Sequence, residues 1–552
     1  MKDKETLKWL YRGSKQQLPF VFIMIIVRCS MTILGVVFAL TSKSVIDTAV
    51  AGDLNGFISS AVKLLTIIAS QLVIRYLGQN LEVRVTARLQ MHLRHRLFKS
   101  ILLKDYSAST SYHSGDLLTR LNNDISIIST GIISLIPGIS GLVAGLTYAL
   151  YALIRLDRNF AFIFLFGGII LLLVISAFRG ILKKTHKRVQ ETEAQTRSFF
   201  QESLGSLLMI KVFGIENEIS DKADNLQQEN YKAQMVRRNL TIFASTGLSL
   251  VFSAGSLYAL VWSAYRLYTA SITFGTLTSI LQLVNQIQAP FAGLSGVVPQ
   301  YYSILASSER IIEIEQLPDE KDLHPVLDPA GAYSKLEYIR FENISFNYDR
   351  DIILDNASLT VNKGDFAVIA GISGIGKSTL IKLLLGVITP CSGRIFLKIN
   401  GEELETGKYA RPLFSYVPQG NLLLSGTVRD AVSLVRPDAT DDEIMRAAEI
   451  SCAADFIKKL PDGLDTHVGE KGMGFSEGQI QRLAVTRAIL SDAPIILLDE
   501  ATSALDEATE ERLLQNIRAM KDKTCIIISH KRAAFDICNK KVYIENKKIR
   551  VE

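Results

Sequence analysis

"GISGIGKST", residues 371–379, follows the apolar run 366–370 and precedes a helical pattern at 380–385. The order strand, glycine-rich loop, helix is the context that G-x-x-x-x-G-K-[ST] requires. Gly371, Gly374 and Gly376 let backbone N–H groups wrap a phosphate, and the helix that starts here adds its dipole. Ser373 and Thr379 belong to the same loop. Lys377 is placed to neutralise β- and γ-phosphates, and Ser378 to ligate Mg²⁺. The alternative, a plain glycine-rich turn, does not account for that context.

"PIILLDE", residues 494–500, reads as a fully buried strand ending in two carboxylates. Asp499 at its end is expected to serve Mg²⁺, and Glu500, pointing elsewhere, to polarise an attacking water. Alone, the pair would also fit a helix cap or a solvated turn. "CIIISH" places His530 after another apolar strand, expected beside that of Asp499, where it would reach a γ-phosphate. A lone histidine is otherwise more often structural. Gln419 in "SYVPQG" sits past a short strand, as a metal or water contact or as a turn residue. Tyr348 in "ISFNYD" stacks on a base or is an ordinary half-exposed aromatic.

A further stretch, "GFSEGQIQRLAVTRA" at 474–488, has a helical second half and an odd first half. Ser476 stands at a cap position, yet Gly478 follows in the first turn, where it weakens a helix by about 1 kcal/mol relative to alanine.

The chain is 552 residues long, with 48% hydrophobic residues and a net charge of +6. Its mean hydropathy of +0.22 is high for a soluble protein. The five cysteines, Cys29, Cys391, Cys452, Cys525 and Cys538, match neither a zinc site nor a disulfide framework, and read as reduced thiols. Six candidate membrane spans lie near 18–40, 57–77, 132–154, 160–178, 242–265 and 272–292. The first is too long for a signal-peptide core, and the last is the weakest. The basic segment before the first span is expected on the cytoplasmic membrane surface. The connections at 80–130 and 179–240 are long, helical and rich in Lys and Arg, which places them, both chain ends and the second half in the cytosol. The expected organisation is therefore a membrane domain over 1–315, a linker over 316–335 and an α/β domain over 336–552.

Residues 336–552 resemble the nucleotide-binding domain of an ATP-binding cassette (ABC) protein. "GISGIGKST", "FSEGQ", "ILLDE", "SALD" and "ISH" occur in that family's order, and with the six spans the whole chain resembles an exporter-type half-transporter. The resemblance implies a multi-domain fold: a six-helix α-helical membrane domain joined to an α/β P-loop ATPase. It implies ATP and Mg²⁺ as cofactors, with Glu500, His530 and Gln419 as catalytic residues. Ser378, Gln419 and Asp499 would serve the metal. Tyr348 would stack on adenine, and Asp506 would meet a partner domain. Ser476, Gly478 and Gln479 would contact the ATP held by a second half-transporter, with a homodimer favoured. "DYSASTSYHSGD" and "SLLMIKVFGIENE" would couple the two halves. Phe475 and Glu477 depart from the family's Leu-Ser-Gly-Gly-Gln signature, and Glu477 is expected to face solvent.

Polar residues inside spans are costly in lipid and point to a cargo path. Arg28 and Arg75 lead, with Lys63 behind them; Gln282, Asn285 and Gln286 lie on one face of the last span. Arg28 faces a path, pairs with another helix or snorkels to an interface; the three glutamine and asparagine side chains line a cavity or join helices. The expected function is an ATP-driven exporter or flippase of a drug, lipid or peptide in a bacterial-type inner membrane. An importer on the same fold, one half of a heterodimer and an ATP-gated channel are the alternatives. The spans exclude a soluble cassette ATPase acting on nucleic acid.

Overall fold

The computed structural model describes residues 2–320, 325–348, 351–420, 423–469, 472–520 and 522–552. Packing divides the chain into two units. One comprises Met1–Phe98 and Gly115–Glu315; the other comprises Lys99–Ser114 and Gln316–Glu552.

The first unit is built from six long helices: Leu18–Val50, Leu54–Leu103, Ile125–Leu156, Arg158–Gly205, Glu216–Tyr268 and Phe274–Glu315. Each expected span lies on one of them. The second, fourth and fifth have 50, 48 and 53 residues, more than twice the ~20 that cross a bilayer. Among the described residues, four helical stretches are long and apolar enough to cross a membrane: Lys4–Val50, Leu54–Leu103, Ser114–Leu156 and Glu216–Tyr268. Most side chains of the span expected at 160–178 lie outside the described residues.

Small residues set the packing of this unit. Ala39 on the first helix, Ala149 and Ala152 on the third and Ala259 on the fifth are buried against Ile280, Leu283 and Val284 of the sixth. Such residues let helix backbones approach closely where lipid removes the hydrophobic drive between helices. The sixth helix begins against the first: Gly275 N donates to Asp47 Oδ1 at 3.0 Å and Thr273 Oγ1 to Asp47 Oδ2 at 3.0 Å. A Cβ on Gly275 would lie 2.4 Å from Lys43 O, so the approach requires glycine. Just before the third helix, a π-helical turn at Arg120–Asp124 joins it to a short helix, Ser114–Thr119. The buried Asp124 carboxylate accepts from Ser307 Oγ at 2.9 Å and Arg310 Nε at 2.9 Å. Arg120 pairs with Asp116 at 2.9 Å and Glu313 at 3.2 Å.

The second unit carries the strands β1 (Leu336–Tyr348), β2 (Asp351–Asn362), β3 (Phe366–Ala370), β4 (Ser392–Ile399), β5 (Glu402–Glu405) and β6 (Phe414–Val417). They are followed by β7 (Gly426–Thr427), β8 (His467–Val468), β9 (Ile495–Asp499), β10 (Thr524–Ile528), β11 (Lys540–Glu545) and β12 (Lys548–Val551). The order β12-β11-β3-β10-β9-β6 forms a mainly parallel sheet, and β2-β1-β4-β5 an antiparallel one. Every residue of β3, β9 and β10 is buried. Side chains of a strand alternate between faces, so each run feeds two cores. Ile496, Leu498 and Ile527 enter the core beneath the helix Glu477–Leu490; Ile495, Leu497 and Ile526 enter that beneath the helix Lys377–Leu384.

Two boundaries differ from expectation. The linker expected over 316–335 is not a free tether, although residues 321–324 lie outside the described ones. Leu327 N donates to Tyr409 O at 3.0 Å, and Asp328 caps a short helix, Pro329–Ser334. Tyr333 is buried, with its hydroxyl 2.9 Å from Thr524 Oγ1. Residues 99–114, expected in the membrane domain, group with the second unit. Lys104 Nζ reaches Leu317 O and Asp319 Oδ1, both at 2.7 Å, and Asp105 N donates to Pro318 O at 2.9 Å. A proline-containing acidic stretch gives no periodic pattern, so neither set of contacts is visible in composition.

Candidate active site

The phosphate-loop motif lies between β3 and the helix Lys377–Leu384. Gly371, Gly374 and Gly376 have φ of 157°, 81° and 109°, where side chains are strained. Space restricts two of them as well. A Cβ would lie 2.9 Å from Ile544 O at Gly371 and 2.2 Å from Ile353 Cγ2 at Gly376. Ser373 is exposed in the loop and Thr379 is buried in the helix.

Lys377 is buried, and its ammonium is held inside the loop. Its Nζ donates to Gly371 O at 2.8 Å and Ile372 O at 3.2 Å, and lies 2.9 Å from His530 Nε2. Glu500 Oε1 is 3.9 Å away. His530 comes here because Ile528 on β10 is paired with Asp499 on the neighbouring parallel β9.

Asp499 is only 1% exposed. One carboxylate oxygen accepts from Ser378 Oγ at 3.0 Å, and the other from Tyr416 OH at 3.1 Å. Burial raises its acid above the usual carboxylate range, against these two hydrogen bonds. Tyr416 is pushed up in turn, first by burial and then by the Asp499 charge, so it stays a donor. Glu500 follows the strand with φ of 51°, in the left-handed region that side chains rarely adopt. Its Oε2 accepts from Gln419 Nε2 at 2.7 Å.

Lys377, Ser378, Gln419, Asp499, Glu500 and His530 thus form one connected group. The donor set suits Mg²⁺: a hydroxyl and a carboxylate, hard oxygens that leave the remaining positions to phosphate and water. Among the described residues, no group of three His, Cys, Asp or Glu side chains offers another metal site. Tyr348 stands apart at the end of β1, 45% exposed and edge-on to Phe346 at 4.9 Å.

The signature stretch forms a second group. Ser476 caps the helix Glu477–Leu490, and the cap is reciprocal. Gln479 N donates to Ser476 Oγ at 3.3 Å, and Ser476 N to Gln479 Oε1 at 2.9 Å. The spacing S-x-x-Q signals this box. Gly478 is where the helix meets the "SALD" turn: a Cβ would lie 3.0 Å from Ala504 O. Gln481 fastens the contact, accepting from Ala504 N at 3.0 Å and donating to Ser503 Oγ at 2.9 Å. Asp506 caps the helix Glu507–Arg518, and the Thr509 N–H holds its carboxyl below the usual range. Glu477 is exposed. Among the described residues, no hydrogen bond or ion pair joins Ser476, Glu477 or Gly478 to the Lys377–Asp499 group.

Sequence reasoning missed Tyr416, Gln481 and Lys531. Lys531 Nζ donates to Thr502 O and Leu505 O, both at 2.8 Å, tying the turn after Glu500 to the residue after His530.

Among the described residues, no hydrogen bond or ion pair joins the candidate polar residues of the spans to one another. Arg28 pairs with Glu82 at 3.1 Å, a choice the sequence left open. Gln286 Nε2 donates to Gly35 O at 2.8 Å. Arg75 and Asn285 are exposed, and Gln282 Oε1 is buried without a hydrogen bond among the described residues.

Comparison with known proteins agrees with this architecture. The family described as ABC transporter matches residues 354–503, and that described as ABC transporter transmembrane region matches residues 20–291. A Haemophilus influenzae protein named as an ABC transporter ATP-binding/permease protein is 29% identical over 502 residues, covering 88% of this chain and 87% of that one. A Staphylococcus aureus protein named as a multidrug export ATP-binding/permease protein is 28% identical over 481 residues, covering 86% and 82%. The fold is shared with a bacterial Atm1-family ABC exporter solved with ATP bound, at a TM-score of 0.80 and 23% identity, covering 97% of this chain and 94% of that one.

Proposed function

The chain belongs to the ABC transporter family, a multi-pass membrane protein whose ATPase drives transport, and on that premise we propose that two copies pair to export an amphipathic cargo. The observation that carries the pairing is the separation of the two groups above. The phosphate loop and the carboxylates meet within the chain, while the signature end of the helix Glu477–Leu490 stays exposed and unconnected to them. A second copy completes each site: Ser476 and Gly478 of one chain face the phosphates held by Lys377 of the other.

Each residue then has a task. The loop from Gly371 to Gly376 offers N–H donors, Tyr348 stacks on the base, and Lys377 carries the charge that neutralises the phosphates. Ser378 and Asp499, with Gln419 beside them, would hold Mg²⁺, which would supply positive charge to the phosphates. Glu500 takes the proton of the attacking water, Gln419 orients that carboxylate, and His530 donates toward the γ-phosphate. Glu477 is exposed in the single chain, and an unpaired carboxylate beside the phosphates would be costly, which supports a side chain turned to solvent in the pair.

On the cargo side, Arg28, half-exposed beside Glu82, and the exposed Arg75 are the basic residues from which a preference for an anionic group would follow. The name of the Staphylococcus aureus relative, a multidrug export protein, supports export of drugs. The test is transport into inside-out vesicles. ATP should drive a lipophilic anionic dye inward, and Glu500→Gln should stop it. Dye leaving preloaded inside-out vesicles would instead make the protein an importer, and ATP-dependent ionic current without dye movement a channel.

A further inference from the structure

The strand that leads to Gln419 touches the site at a second point. β6 is the edge strand of the parallel sheet and pairs with β9 alone, with Tyr416 opposite Leu497, two residues before Asp499. From there the Tyr416 hydroxyl reaches Asp499 Oδ2 at 3.1 Å. Three residues later, Gln419 Nε2 reaches Glu500 Oε2 at 2.7 Å. One stretch of four residues therefore grips two consecutive carboxylates with different tasks. Asp499 has no water-exposed surface to speak of, at 1%, so its orientation depends on the donors around it. Ser378 holds one oxygen at 3.0 Å, and Ser378 is itself a metal ligand in the reading above. Tyr416 is the donor to the other oxygen. Its ring is fixed independently, packed on the core that contains Phe414, Ile495 and Leu497.

We propose that Tyr416 is a positioning residue whose hydroxyl sets the orientation of Asp499, so that metal affinity follows the placement of β6. The proposal rests on the reading of Asp499 as the metal-serving carboxylate. It makes residues 416–419 a double grip: a shift of this stretch moves the metal-side carboxylate through Tyr416 and the water-side carboxylate through Gln419. A tyrosine present only to fill the core would not need its hydroxyl.

The test is Tyr416→Phe in the full-length protein reconstituted in lipid, with Mn²⁺ as the probe. Mn²⁺ binding in the presence of ATP is followed by electron paramagnetic resonance, beside metal-free binding of a fluorescent ATP analogue and thermal unfolding. The variant should bind Mn²⁺ roughly tenfold more weakly, the usual cost of removing a group that orients a metal ligand, with metal-free nucleotide binding and unfolding temperature unchanged. Mn²⁺ affinity within about twofold of the parent, or a parallel loss of nucleotide binding and stability, overturns it. Asp499→Asn separates the two layers. If that change leaves Mn²⁺ affinity intact, the metal assignment itself fails; if it weakens binding while Tyr416→Phe does not, only the role of Tyr416 fails.

Discussion

In the ATPase unit, Lys377, Tyr416, Gln419, Asp499, Glu500 and His530 come from four separate stretches of chain and meet. In the membrane unit, Arg28, Arg75, Gln282, Asn285 and Gln286 find separate neighbours or, among the described residues, none. The reason is physical. A parallel sheet brings the ends of β3, β9 and β10 to one edge, so whatever follows each strand converges. Long helices instead spread their polar residues along tens of ångströms, and each must be satisfied where it lies. Chemistry is thus concentrated in one unit, while in the other a polar contact chiefly joins two helices.

The sharpest way to break this contrast is at the concentrated end. Glu500→Gln should lower ATP turnover by about 10²–10⁴-fold, the range of a lost general base, while ATP binding persists. Steady-state hydrolysis and equilibrium nucleotide binding check it, and unchanged turnover would remove Glu500 from the chemistry.

At the dispersed end, Asp124→Asn should act on stability. It leaves Arg310 without its carboxylate. Arg310 is 48% exposed, so the cost should be about 2 kcal/mol, below the ~3–5 of a fully buried pair. Thermal unfolding in detergent should show the loss, with nucleotide affinity unaltered.

Ser476→Ala tests the border between structure and chemistry. Loss of the cap alone costs about 1 kcal/mol of stability. A fall in turnover far beyond what that loss explains would add the phosphate contact; a fall in stability alone would leave Ser476 as a cap.

The smallest effect is expected from Arg28→Ala. The Arg28–Glu82 pair is half-exposed within the chain, so stability should change by less than about 1 kcal/mol. Transport of an anionic dye should nonetheless weaken, by up to about tenfold, the scale of one charge-assisted contact. Unchanged dye transport would confine Arg28 to joining helices.

How much of this was legible follows from sequence distance. Gly371, Gly376, Lys377 and Ser378 lie within a few residues of one another, so spacing alone singled them out. The strands were equally plain, because β3, β9 and β10 are apolar on both faces. Tyr416 acts on a carboxylate 83 residues away and Arg28 on one 54 away. No local pattern encodes such a pair. The Ser476–Gln479 cap was within reach of the sequence, since its members are three positions apart. The same glutamine also fits a ligand contact, and spacing does not choose between them. The packing of 327–333 onto the ATPase core was hidden for another reason: its partners, Tyr409 and Thr524, lie far along the chain.

The central claim is that each ATP site is shared between two chains. Dimers that combine one Lys377→Ala chain with one Gly478→Asp chain test it most directly. Each variant alone should be silent. In the mixed dimer, a shared arrangement pairs the intact Lys377 of one chain with the intact Gly478 of the other. One complete site then remains, and hydrolysis should return to as much as half the parent rate, one site of two. A mixed dimer as silent as either variant would contradict the shared site and return both motifs to a single chain.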